Sequence, residues 1–236
     1  MPQHTKRIKI RRKDLRKPDE FETLTGQALD WAEKHRALVL GVAGALVLVA
    51  LAGLAIARWR AGRSEAAAVA FRAAQSQFDA ARYRDAAGAF AEVASGHPHT
   101  PFGRLAGLYR AHALARQGDA AGAATAYGEY LATSPDAEYL RQEALTGLAR
   151  ARESAGDTAG ALEAYTQAGD LRGPYRTDAL LGAARLHENA GHGDQARDIY
   201  ARLLKDVSDP ETRALLVAKL PPGHRPESDE PTPAAE

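Results

Sequence analysis

The side chains of this sequence that could do chemistry are its histidines and carboxylates, and their spacing argues for little of it. The run HENAGH, from His187 to His192, sets two histidines five positions apart. That rotates them about 140° on a helix, whereas the H-E-x-x-H spacing puts both imidazoles on one face around a zinc ion. Gly191 also falls at an expected turn, so the pair does not read as a shared metal site. His97 and His99 flank Pro98 in an expected loop, where exposed polarity accounts for them. Glu143 and Glu153 read as solvated helix faces. No glycine-rich phosphate loop, G-x-S-x-G or H-E-x-x-H occurs. Cysteine is absent, which excludes disulfides, thiolate catalysis and Cys-ligated metals. The expectation is a chain with no catalytic residues, no metal and no cofactor. A His-bound metal at His187 and His192 is the alternative from the enzyme class.

The elements that would hold a binding surface begin with residues 37–57, ALVLGVAGALVLVALAGLAIA, 21 positions without a charge or strongly polar side chain. A helix of that length rises about 31 Å, against a bilayer hydrocarbon core of ~30 Å. Trp31 and Trp59 lie 28 positions apart, roughly 42 Å along a helix, which matches the spacing of the two headgroup regions where Trp prefers to sit. Lys34 and Arg36 flank one end, Arg58 and Arg60 the other. A buried core helix is rarely apolar on every side for so long. A cleaved signal peptide, for which Ala55 and Ala57 offer the small residues, has a shorter apolar core and fewer residues ahead of it than the 36 here. The run predicts an uncleaved single-pass anchor.

The net charge of +1 conceals a segregation: residues 1–36 carry ten Lys/Arg against six Asp/Glu, and residues 58–236 carry 21 against 24. The larger part is mildly acidic, which excludes the basic footprint of a nucleic-acid binder. In the tail, Lys6, Arg7, Lys9, Arg11, Arg12, Lys13, Arg16 and Lys17 form a basic cluster ended by Pro18 and attracted to anionic lipid. From Asp19, a candidate N-cap, Phe21, Leu24, Ala28 and Ala32 make one apolar stripe, predicting an amphipathic helix that leads into the span. The whole-tail charge puts the N-terminus in the cytoplasm. The nearest flanks point the other way, with Lys17, Lys34 and Arg36 against Arg58, Arg60, Arg63 and Arg72.

Past Gly62, helical spacing dominates and a period emerges. Ala81, Gly118, Gly156 and Gly191 are each followed five positions on by alanine (Ala86, Ala123, Ala161, Ala196). Nine positions on stands an aromatic residue (Phe90, Tyr127, Tyr165, Tyr200). The copies start 37, 38 and 35 residues apart. A small residue precedes each turn, at Ala74, Ala111, Ala149 and Ala184, and proline follows each unit, at Pro98, Pro135, Pro174 and Pro210. The pattern resembles the tetratricopeptide repeat, a helix–turn–helix unit of about 34 residues. It departs from it in lacking the usual Trp, in Ala81 where glycine is expected and in its longer intervals. Residues 211–220 read as an amphipathic helix capping the stack, and the Pro- and acid-rich residues 221–236 as disordered.

The expected fold is all-α: an N-terminal amphipathic and transmembrane helix read from the tail and the apolar run, then, as the resemblance implies, a helical-hairpin solenoid of about four repeats. Its expected segments are a cytoplasmic tail (1–36), a transmembrane helix (37–57), a helical connector (58–66), the repeats with their cap (67–220) and a disordered end (221–236). In such a stack the first helix of each unit lines a groove. Registering the units places Phe71, Gln75, Phe78, Leu108, His112 and Arg116 on that wall, followed by Glu143, Arg150, Glu153, Leu181, Arg185 and Glu188. The ligand it suits is a peptide with an apolar anchor followed by charges. The Lys/Asn clamp with which some tetratricopeptide proteins hold a C-terminal carboxylate is missing, because Phe71 and Gln75 occupy its first places.

The layout as a whole resembles the YfgM family of bacterial inner-membrane proteins. That resemblance implies a periplasmic repeat domain accompanying the SecYEG translocon and working with periplasmic chaperones on emerging chains. Contact with lipid falls to residues 37–57, and the pairs Gly41/Ala45 and Gly53/Ala57 suit a homodimer in the membrane. The alternative is a cytoplasm-facing adaptor that recruits soluble factors.

Overall fold

The computed structural model describes residues 26, 29–133, 135 and 137–220. The basic cluster Lys6–Lys17, the start of the amphipathic helix at Asp19 and residues 221–236 lie outside the described residues. Two compact units make up the chain, Met1–Arg60 and Ala61–Glu236.

The first unit is dominated by the opening part of helix α1 (Arg36–Asp79), an uninterrupted 44-residue helix. Its most apolar 18-residue window has a mean hydropathy of 2.7, and none of that window is buried inside the protein. Leu40, Leu48 and Val49 are about 70 % exposed. Among the described residues this is the one helix long and apolar enough to cross a membrane.

The second unit is a series of helical hairpins, and among the described residues it contains no strand. The last part of α1 pairs with α2 (Tyr83–Gly96) through the apolar cluster around Phe71, Ala74, Ala86 and Phe90. Three more hairpins follow: α3 (Pro101–Gln117) with α4 (Ala120–Ala132), α5 (Glu138–Ser154) with α6 (Thr158–Asp170), and α7 (Arg176–Asn189) with α8 (Gly193–Asp206). Helix α9 (Pro210–Lys219) closes the series against α8.

The joint between the two helices of each hairpin has one chemistry. Ala81, Gly118, Gly156 and Gly191 take φ of +57°, +89°, +84° and +78°, the only positive values among the described residues. The left-handed conformation ends the first helix, and glycine adopts it without the Cβ clash that other residues suffer. In the two middle hairpins an aspartate then starts the second helix. Asp119 accepts from the Gly122 N–H and Asp157 from the Gly160 N–H, each at 2.9 Å. Arg82 and His192 hold the same place in the outer hairpins and make no side-chain cap.

Packing follows from residue size. Ala74, Ala111, Ala149 and Ala184 of the first helices and Ala86, Ala123, Ala161 and Ala196 of the second are at most 1 % exposed, so the helices of each hairpin meet at their small residues. In the first three hairpins the aromatic side chain of the second helix, Phe90, Tyr127 or Tyr165, then reaches to the next hairpin. Tyr127 lies where a Cβ on Gly147 would stand, and Tyr165 where one on Gly182 would stand. Burying each such ring contributes about 1.5–3 kcal/mol. At the far end Leu216 and Leu220, 0 % and 1 % exposed, cover Tyr200, Leu203 and Leu204.

One polar latch interrupts this apolar scheme. Gln142 is completely buried. Its Nε2 donates to the carbonyls of Ala168 and Leu171, both at 3.0 Å, and its Oε1 accepts from the Tyr175 N–H at 3.1 Å. Every polar group of that side chain is satisfied by the last turn of α6 and the connection to α7, which it pins to α5.

Candidate functional site

The first helices of successive hairpins lie side by side, α3 beside α5 and α5 beside α7. Each inner-wall position can therefore be counted back from the left-handed turn residue. Ten before the turn stand Phe71, Leu108, Thr146 and Leu181. This row is three positions from the buried alanines and shares their face. Phe71 and Leu108 are accordingly 4 % and 0 % exposed, which corrects their expected place on an open wall. Phe71 packs its ring between those of Phe90, Phe102 and Tyr109, with centroids 5.3, 5.5 and 5.1 Å away. Leu181 is half-buried against the cluster under the cap.

Six before the turn come Gln75, His112, Arg150 and Arg185, and three before it Phe78, Ala115, Glu153 and Glu188. In the later hairpins these residues pair with the following helix. Arg185 grips Glu153 through both guanidinium nitrogens, one bond being 2.8 Å, and the Tyr165 hydroxyl donates to the same carboxylate at 3.3 Å. Arg185 holds the Glu153 carboxyl below the usual range. Lys219 Nζ reaches both oxygens of Glu188 at 3.1 and 3.0 Å and stands 5.9 Å from the Tyr200 ring centroid. Arg150 meets Asp178 of α7 at 3.3 Å. Much of the charge expected to face a ligand is thus engaged in joining repeats.

At Ala115 the pattern opens. A hollow of about 680 Å³ surrounds it, with Phe78, Tyr109 and Tyr127 as an aromatic side. His112, Arg116, Glu143 and Arg150 form a polar side, and Tyr175 reaches in from the α6–α7 connection. Phe78 is half-buried, its ring set edge-on to Tyr83 with centroids 5.3 Å apart, and Gln75 is half-buried nearby. The structure thus brings together Phe78, His112, Arg116, Glu143 and Arg150, and assigns Glu153, Arg185 and Glu188 to the pairings farther along.

Burial, with the Arg116 charge behind it, lowers the His112 pKa from 6.5 to about 4. The imidazole is neutral at pH 7, so its 3.5 Å approach to Glu143 Oε1 is a polar contact and not an ion pair. Glu143 is pushed up by its own burial, opposed by a hydrogen bond from Tyr175. Burial also raises the Tyr127 hydroxyl, with Glu143 adding to it. These groups form a low-dielectric polar centre between an aromatic surface and two guanidiniums. No residue here is arranged as a nucleophile with its base.

Tyr109, Ala115 and Tyr175 are among the residues of the hollow that carry no sequence expectation for the wall. Tyr109 sits one position after the interior row, where the later repeats have Gly147 and Gly182. Ala115 registers with Glu153 and Glu188, a signal that alignment on the turn residues makes visible. Tyr175 arrives from a connection, and no periodic pattern reports it. Among the described residues no three His, Cys, Asp or Glu side chains gather as a metal site. The His187 and His192 rings stand 5.9 Å apart, tilted by 52°.

The family described as a tetratricopeptide repeat-like domain matches residues 30–221, and the chain belongs to it. No curated protein matches the sequence. Among solved structures, a Podosopora anserina protein described as a kinesin light chain with nearly identical TPR-like repeats is similar at 17 % identity and a TM-score of 0.51. The similarity covers 64 % of this chain and 82 % of that one. A tetratricopeptide repeat protein from Parabacteroides merdae is similar at 16 % identity and a TM-score of 0.56, over 66 % of this chain and 59 % of that one. These likenesses agree in the fold, a series of stacked helical hairpins.

Proposed function

We propose that this tetratricopeptide repeat-like chain is a single-pass membrane protein whose inner wall binds polypeptide segments outside the cytoplasmic membrane, beside a protein translocon. The observation that carries the binding is the hollow around Ala115, where an apolar aromatic side lies beside the guanidiniums of Arg116 and Arg150. Such a surface suits an extended or helical segment with an apolar anchor and nearby charges. The anchor reading is supported by the exposed side chains of α1, which water solvates poorly and lipid accepts.

The segments follow as 1–36 in the cytoplasm, 37–57 across the membrane, 58–66 as connector and 67–220 as the periplasmic repeat domain, with 221–236 as a tail. The resemblance to the YfgM family supports SecYEG, periplasmic chaperones and emerging chains as partners. Gly41/Ala45 and Gly53/Ala57 support pairing of two copies within the membrane.

Photoreactive groups at Phe78 or Arg150 test the reading in native membranes: they capture polypeptides, and their failure to capture any refutes it. A second topology, with the repeats in the cytoplasm, is favoured by the local flanking charges. A reporter active only in the periplasm, fused after Arg225, is on in the first topology and off in the second.

A further inference from the structure

The hollow lies where the carboxylate that the last two repeats place on the wall gives way to Ala115. Three before the turn, Glu153 and Glu188 each supply a carboxylate that a cation of the next helix takes, Arg185 and Lys219 respectively. In the second repeat that position is Ala115, so Arg150 of the next helix has no carboxylate there to take. Arg150 turns instead to Asp178 at 3.3 Å, with both side chains about 60 % exposed, a contact that solvent weakens. Arg116 beside it makes no ion pair among the described residues. The one carboxylate lining the hollow, Glu143, already receives the Tyr175 hydroxyl and lies against His112. Two guanidiniums therefore face an opening sized by a missing glutamate, with Phe78 and Tyr109 as its apolar edge.

We propose that the hollow takes a side-chain carboxylate of the bound polypeptide, an Asp or Glu seated over Ala115 between Arg116 and Arg150, while a neighbouring apolar side chain rests on Phe78 and Tyr109. The ligand's acid replaces, in trans, the carboxylate that Glu153 and Glu188 provide in cis. Planar guanidiniums hold such a group through paired charge-assisted hydrogen bonds. The inference rests on the reading that the inner wall binds polypeptide.

The test selects a phage-displayed library of random dodecapeptides on the full chain in lipid nanodiscs, then measures synthetic copies of the winners by fluorescence anisotropy. Enriched peptides share an Asp or Glu near an aromatic or aliphatic residue, and changing that acid to its amide weakens binding at least tenfold. A115E supplies the missing carboxylate from the wall itself and weakens binding at least tenfold, whereas A115Q, of similar size, weakens it several-fold less. R150Q, at a side chain 61 % exposed whose ion pair solvent weakens, weakens it as A115E does. Winners without an acid, equal losses in A115E and A115Q, unchanged binding in R150Q, or dependence on a free C-terminal carboxylate would each overturn the inference and leave groove binding standing. Enrichment of no peptide refutes groove binding itself.

Discussion

Replacing Ala81 by glycine should stabilise the first hairpin. Ala81 holds φ at +57° at the joint where the other three hairpins use glycine. A side chain there brings Cβ against the following carbonyl, at about 1–2 kcal/mol. Glycine relieves that strain and loses roughly 0.5–1 kcal/mol through its freer unfolded chain. The net gain is about 0.5–1 kcal/mol. Because a repeat array holds stability largely hairpin by hairpin, the gain is read locally, by hydrogen exchange of the α2 amides from Ala86 to Val93 in the full chain. Those amides should exchange about two- to fivefold more slowly, since 1 kcal/mol is roughly a factor of five in an opening equilibrium. The reciprocal change supplies the control. A Cβ on Gly118 meets nothing within 4 Å, so Gly118→Ala introduces the backbone strain without a clash and should speed exchange in α4 by a similar factor. Faster exchange in Ala81→Gly, or no effect in Gly118→Ala, would refute the left-handed joint as the determinant.

Three further outcomes follow from the interior. Gln142→Leu leaves the Ala168 and Leu171 carbonyls and the Tyr175 N–H without their partner; it should cost about 2–4 kcal/mol in urea unfolding, and a loss below ~1 kcal/mol would contradict the latch. Gly182→Ala drives a methyl group into the Tyr165 ring and should destabilise the third–fourth hairpin junction by about 1–3 kcal/mol, with hydrogen exchange in α6 and α7 as the readout. Acidification should weaken the fold through His112. Its folded pKa of about 4 lies below the unfolded 6.5, so the unfolded chain binds the proton first and stability drops as pH falls from 6.5 towards 4. The loss is at most about 3 kcal/mol. Glu143, pushed up in the fold, works in the opposite sense above its ordinary value. His112→Gln should flatten the stability–pH slope over that window, and an unchanged slope would show that His112 is not its source.

The hairpin joints were legible because few residues tolerate their geometry. Gly118, Gly156 and Gly191 mark left-handed turns, and the distance to Ala86 and Phe90 marks Ala81 as the fourth. The close-packed alanines and the aromatic of each second helix were legible for the same reason, since size alone limits what fits. The wall was harder to read. Register alone puts Phe71 and Leu108 on it, although their spacing from Ala74 and Ala111 turns them inward. The pairing of Arg150 with Asp178 and of Arg185 with Glu153 depends on how far apart successive hairpins stand, which no single-helix pattern reports. Tyr175 and two of the three bonds of Gln142, to Leu171 and Tyr175, belong to an irregular connection, where periodicity carries no signal.

The most direct measurement of the central claim is site-resolved hydrogen exchange on the full chain in nanodiscs, with and without a permanently unfolded polypeptide as ligand. Binding on the inner wall predicts slowed exchange in α1 around Phe78, in α3 from Tyr109 to Arg116 and in α5 from Glu143 to Arg150, with α6 unchanged. Protection confined to α6, or none anywhere at saturating ligand, would contradict it.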